Sequence, residues 1–149
     1  ADNRGVQLLI RDLNYLYRST VGLYGQEFAQ DGFEWLDCHD AAQSVAVYLR
    51  HGGESLPLIV ILNFAATSRV GYQIGVPLPG LYREVINSDA DCYGGSGMIN
   101  DQDLYAAPIF CMGQSCSLLV NLPPLSGIVL MPNNLKDGAK SGFMSRANL

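Results

Sequence analysis

One stretch of the chain gathers residue types that do chemistry. "YREVINSDADCYGGSG", residues 82–97, sets Glu84, Asp89 and Asp91 beside Ser96 and a run of glycines. Two carboxyl groups held about 5 Å apart suit a retaining glycosidase, and roughly 6.5–9.5 Å an inverting one. The same letters also read as turn chemistry. Asp and Asn side chains bond nearby backbone N–H groups, and glycines supply angles closed to other residues. A phosphate-binding loop would add Gly-Lys-Ser/Thr at the head of a helix, which is missing here. Ser96 lacks the flanks of a nucleophile elbow, and His39 and His51 lie near turns without forming a recognisable triad. The residues therefore predict no catalytic group in this chain and no cofactor.

The aromatic side chains offer a different chemistry. An indole face stacks on the apolar C–H patch of a sugar ring while its N–H donates a hydrogen bond. Trp35, the single tryptophan, alternates with Phe33 on one face of "GFEWLD". It reads either as a carbohydrate contact or as a core residue packed against Phe33. Tyr72, Tyr82 and Tyr93 fall near loops and leave the same two readings open. All four are candidate carbohydrate-binding residues.

Charge and cysteine usage exclude other classes. The net charge of −5, with no cluster of Lys or Arg, is the wrong sign for neutralising nucleic-acid phosphates. The longest apolar run, "PLIVIL", is far shorter than the roughly 20 residues that span a bilayer. Cys38, Cys92, Cys111 and Cys116 are scattered, and two histidines give no zinc-type spacing beyond the adjacent Cys38 and His39. The expectation is no bound metal, with free thiols in a reducing cytoplasm.

The elements that position these residues follow from periodicity. Over residues 5–18, Val6, Leu9, Ile10, Leu13, Leu16 and Tyr17 recur at intervals of three and four, which predicts one amphipathic helix. Its apolar stripe is wide enough to need more partner surface than a small β-domain offers. The chain is therefore expected to begin partway through something larger, or to self-associate through this helix. From residue 32 the period becomes two. Strands are predicted at 32–37, 43–50, 57–64, 70–76, 80–87, 116–122 and 127–132, with "HGGES" as a hairpin connection and "PLPG" and "PPLSG" as turns between neighbours. "PLIVILNF" is apolar on both faces, as a central strand covered twice would be. Seven short strands with close turns predict a mainly β fold, an antiparallel β-sandwich preceded by one α-helix. Residues 94–114 read as a loop and 133–149 as a flexible tail.

"LIRDLNYLYR", "GFEWLDCHDAAQSVAVYLR", "LIVILNFA", "YQIGVPLPGLYREVINSDADCYGGSG" and "SLLVNLPPLSGIVLMP" occur in this order. Together they resemble the C-terminal region of a glycogen (1,4-α-glucan) branching enzyme of the α-amylase superfamily, over roughly residues 5–132. The resemblance implies that residues 1–24 are the last helix and linker of a catalytic barrel, and that 32–132 form a non-catalytic C-terminal β-domain. It further implies that the catalytic acids lie outside this chain and that the barrel is its partner. Trp35 stays open between a surface contact for an α-glucan and a core residue, and the alternatives are an independent α-glucan-binding module or a purely structural, stabilising domain. Residues 82–97 would then shape the face that leans on the barrel. The insertion "MINDQDLYAAPIFCMGQSC" is more apolar than the polar, Gly- and His-containing loops usual in such enzymes, and the sequence beyond Pro132 extends past their usual end.

Overall fold

The computed structural model describes residues 3–133, apart from positions 27 and 41. The helix α1 runs over Arg4–Ser19 and is followed by a single turn, α2, at Val21–Tyr24. Thr20 between them is extended, which breaks the helical ladder. Eight strands follow among the described residues: β1 (Phe33–Asp37), β2 (Val45–Arg50), β3 (Leu58–Asn63), β4 (Arg69–Val76), β5 (Gly80–Asn87), β6 (Leu104–Ala106), β7 (Cys116–Leu122) and β8 (Ser126–Pro132). The expected mainly β, antiparallel architecture with one N-terminal helix is thus what the chain adopts. The seven expected strands are present within a residue or two. The three-residue β6 is additional and lies inside the segment read as loop. Residue 133 pairs its N–H with the Leu81 carbonyl at 2.7 Å; the rest of the expected tail, 134–149, lies outside the described residues.

Six strands form one sheet in the order β1-β2-β3-β8-β5-β6, and β4 pairs with β7 in a second. All pairings are antiparallel. β2 and β3 form the expected hairpin. "PLPG" and "PPLSG" are not hairpin turns, however. They join β4 to β5 and β7 to β8, strands that lie in different sheets. Prolines, lacking an N–H, suit connections that leave the ladder, and Gly80 and Leu125 take positive φ of 111° and 49° there. The first crossing is fixed by Tyr82, whose hydroxyl donates to the Leu78 carbonyl at 2.9 Å and accepts from the Leu78 N–H at 3.2 Å.

The core sits between the sheets. Val47, Leu49, Ile59 and Ile61 meet Ile74, Val76, Leu118 and Leu122, all at most 2% exposed. Removing each such side chain from water contributes about 1.5–3 kcal/mol. The opposite face of the large sheet carries Leu58, Val60, Ile86 and Val129, covered by Leu9 and Leu16 of α1 and Leu23 of α2. β3 is therefore covered twice, by the small sheet on one side and by helix on the other. The stripe on α1 divides. Leu9 and Leu16 face the sheet, whereas Val6, Ile10, Leu13 and Tyr17 stay 39–60% exposed.

Candidate functional site

The acidic stretch closes its own loop. The Asp89 carboxylate accepts from the Ser96 hydroxyl at 2.5 Å, the Ser96 N–H at 3.1 Å and the Met98 N–H at 3.3 Å. Asn87 caps the same turn by accepting from the Asp89 N–H at 2.9 Å. Partial burial alone would raise the Asp89 carboxyl, but the hydrogen bonds from Ser96 and Met98 outweigh it and hold its pKa below the usual range. Gly95 lies so close to the Asp89 carbonyl that any Cβ would collide with it. Glu84 is engaged elsewhere, accepting from the Asn100 side chain at 2.7 Å and its N–H at 3.3 Å. Asn100 in turn bridges to the backbone of Asn121. Burial pushes the Glu84 pKa up, against the hydrogen bonds from Asn100 and Asn87. The Ser96 hydroxyl donates its hydrogen bond to Asp89, which the Ser96 and Met98 N–H groups also hold, as a loop-closing turn does.

The same turn also grips the helix. Tyr93, in the 3-10 turn Asp91–Tyr93, donates its hydroxyl to Asp12 of α1 at 2.9 Å. Gly5 packs under the Tyr93 carbonyl with no room for a side chain. Burial, reinforced by Asp12, raises the Tyr93 hydroxyl pKa.

The four aromatic candidates are not brought together. Tyr82 is fully buried, its ring in the core between the sheets, and it presents nothing to a ligand. Tyr93 is spent on α1. Tyr72 is half-buried, donates to the Asp40 carboxylate at 2.8 Å and lines an open cleft with Gln43, Arg69 and Gln73. Trp35 alone of the four is widely exposed, at 53%. Its alternation with Phe33 holds, but their shared face is open to solvent. Phe33 and Trp35 meet edge to face, with ring centroids 5.0 Å apart and planes at 82°. Tyr48 completes a trio, stacked on Phe33 at 5.0 Å and 29° and edge to face with Trp35 at 5.6 Å and 74°. Sequence reasoning missed Tyr48. Its only signal is the off-core phase of "SVAVYLR", and the β1–β2 register then sets it opposite Trp35. Beside Phe33 runs an open groove of about 500 Å³ lined by Gln26, Gln30, Asp31, Glu34 and His51. An aromatic platform next to amides, carboxylates and an imidazole provides the two contacts a sugar needs, stacking and hydroxyl hydrogen bonds.

Against this geometry, residues 35–133 match the family described as alpha amylase, C-terminal all-beta domain. The chain belongs to that family. The C-terminal all-beta domain so matched begins at Trp35 and takes in β2 to β8 entire. Over 128 residues the chain is 48% identical to the 1,4-alpha-glucan branching enzyme GlgB of Cellvibrio japonicus, covering 86% of this chain and 17% of that enzyme. It is 49% identical over 130 residues to the enzyme of the same name from Methylococcus capsulatus, covering 87% and 17%. The chain thus spans about a sixth of the length of these relatives. Among solved structures, an alpha-amylase from H. orenii aligns with a TM-score of 0.48 at 16% identity, over 83% of this chain and 19% of that one.

The remaining chemistry-bearing residues of this all-beta domain are scattered. His39 Nδ1 lies 3.5 Å from Cys38 Sγ, and the His51 Nε2 is 3.4 Å from Glu34 Oε2. Among the described residues no three His, Cys, Asp or Glu side chains are grouped to hold a metal ion. All four cysteines are free, Cys38 and Cys92 at the surface. No described helix is long and apolar enough to cross a membrane.

Proposed function

We propose that this chain is the non-catalytic C-terminal β-domain, with the last barrel helix, of a 1,4-α-glucan branching enzyme. The whole enzyme cleaves an α-1,4 bond, holds the chain as a covalent glucosyl intermediate and transfers it to a 6-hydroxyl. The observation that carries this reading is the 48% identity to a branching enzyme over 128 residues, 86% of this chain, together with the family match over residues 35–133. The site geometry agrees with it. Two of the three carboxylates that the sequence sets together, Asp89 and Glu84, hold loops together instead. Residues 1–24 then belong with the barrel, and the exposed stripe Val6, Ile10, Leu13 and Tyr17 is the surface it covers; with the barrel absent, that stripe would drive self-association. Free surface thiols fit a cytoplasmic enzyme. The test is the iodine absorbance of amylose incubated with the purified chain. The absorbance stays constant on this reading, and a steady fall would refute it.

A second role is favoured by the Phe33–Trp35–Tyr48 platform: direct contact with α-glucan, as a binding surface in its own right. Losing an indole stack costs about 1–1.5 kcal/mol, a factor of roughly 5–12 in affinity. In native gels containing glycogen, the wild-type chain is retarded and Trp35→Ala less so. Equal migration of the two, with and without glycogen, would dispose of this role.

A further inference from the structure

The two ends of α1 are held differently. At its C-terminal end α2 is pinned to the sheet: Arg50 Nη2 donates to the Leu23 carbonyl at 2.8 Å, and Gly22 packs directly against Gly52 and the Leu58 side chain. Thr20, with φ −121° and ψ 104°, is an extended joint between α2 and α1. Of α1 itself only Leu16 is buried, with Gly5, Leu8, Leu9 and Asp12 partly so, whereas the core between the sheets is one continuous buried cluster. The outer part of the helix is tied to the turn Asp91–Tyr93. There the Tyr93 hydroxyl bonds one oxygen of Asp12, Arg11 bonds the other at 2.9 Å, and Gly5 lies under the Tyr93 carbonyl.

We propose that α1 is a strap: it hinges at Thr20, is latched by the Tyr93–Asp12 bond, and opens as a unit without unfolding of the two sheets. The free energy of a local opening follows the apolar surface it exposes, and α1 contributes Leu16 with parts of Leu8 and Leu9, far less than the core between the sheets holds. Opening uncovers part of the outer face of the large sheet around Val60, Ile86 and Val129, while α2 stays over Leu58 and the inner core is untouched. The turn 82–97 is then a fastening whose acidic residues shape it and whose tyrosine engages the helix. This inference rests on bonds and packing within the chain and describes the chain by itself, without a barrel over the exposed stripe of α1.

Native-state hydrogen exchange read by mass spectrometry on the full chain tests it. In the wild type, amides of residues 8–19 exchange faster than those of β3 and β8. Tyr93→Phe keeps the ring and removes the bond, so helix exchange accelerates about fivefold while β3 and β8 are unchanged. Asp12→Asn retains an acceptor and gives a smaller acceleration than Asp12→Ala. Equal acceleration of helix and strands would mean that the helix opens only with global unfolding, and would overturn the proposal. Unchanged helix exchange in Tyr93→Phe would overturn the latch.

Discussion

Tyr82→Phe removes one oxygen atom from the interior and tests whether the crossing between sheets is held as described. The ring stays, so no cavity forms. The hydroxyl gives up two bonds, 2.9 Å to the Leu78 carbonyl and 3.2 Å from the Leu78 N–H. Each contributes about 1 kcal/mol net. Leu78 is 37% exposed, so water recovers part of the loss, and the cost comes to about 1.5 kcal/mol. With a urea slope near 1.5 kcal/mol/M, the unfolding midpoint falls by about 1 M at unchanged slope. Tyr82→Leu, which also empties ring volume, costs about 3 kcal/mol or more. A second signature is alkaline. Burial pushes the Tyr82 hydroxyl up to about 12, Cys116 adding to the rise and the Leu78 backbone bond opposing it. The folded pKa is raised, so the contribution is complete below about pH 10 and is lost as pH climbs towards 12. The gap between wild type and Tyr82→Phe therefore narrows over that window. A midpoint within about 0.2 M of wild type at pH 7 would refute the role given to this hydroxyl.

The glycine pair of the fastening turn separates two physical effects. Gly94→Ala, at φ 85° in open space, costs about 1 kcal/mol through the left-handed backbone, whereas Gly95→Ala drives a methyl into the Asp89 carbonyl and costs about 2–3 kcal/mol, both read from urea midpoints. The carboxylates carry opposite pH signs. Glu84 has a raised folded pKa, so its contribution is full in acid and is lost as pH rises through that value; Glu84→Gln gains on wild type between about pH 3.5 and 7. Asp89 has a lowered folded pKa, so its contribution is present near neutrality and disappears in acid; Asp89→Asn is less stable than wild type at pH 7, and the difference shrinks as pH falls. Urea midpoints at the two pH values check both, and a parallel pH response of the two variants would contradict the assignment.

Much of this architecture is legible in the residues. The three-and-four spacing of Val6 to Tyr17 gives the helix, period two gives seven strands, and the doubly apolar "PLIVILNF" announces its two coverings. What escapes the sequence is pairing. In β5 the register shifts between Glu84 and Ile86, so Tyr82 enters the inner core while Ile86 faces the helix. A one-residue slip exchanges faces, and no local pattern records it. The same holds for the proline turns, which look like hairpins until the partner strands are known. Tyr48 joins Trp35 only across a strand pair, and β6 is too short to produce a periodic signal. Of the aromatic platform, the alternation of Trp35 with Phe33 is legible in the sequence, whereas Tyr48 and the polar groove that the fold sets beside them are not.

The central claim is that this polypeptide supplies the β-domain of a branching enzyme and leaves the chemistry to another part of it. The most direct measurement is exchange. The 128 residues aligned in the Cellvibrio japonicus enzyme are replaced by the matching segment of this chain, and α-1,6 linkages formed on amylose are counted after enzymatic debranching. The chimera is expected to branch at a rate comparable to the native enzyme, and deletion of the segment to abolish a soluble, active product. A chimera that folds yet forms no α-1,6 linkages would contradict it.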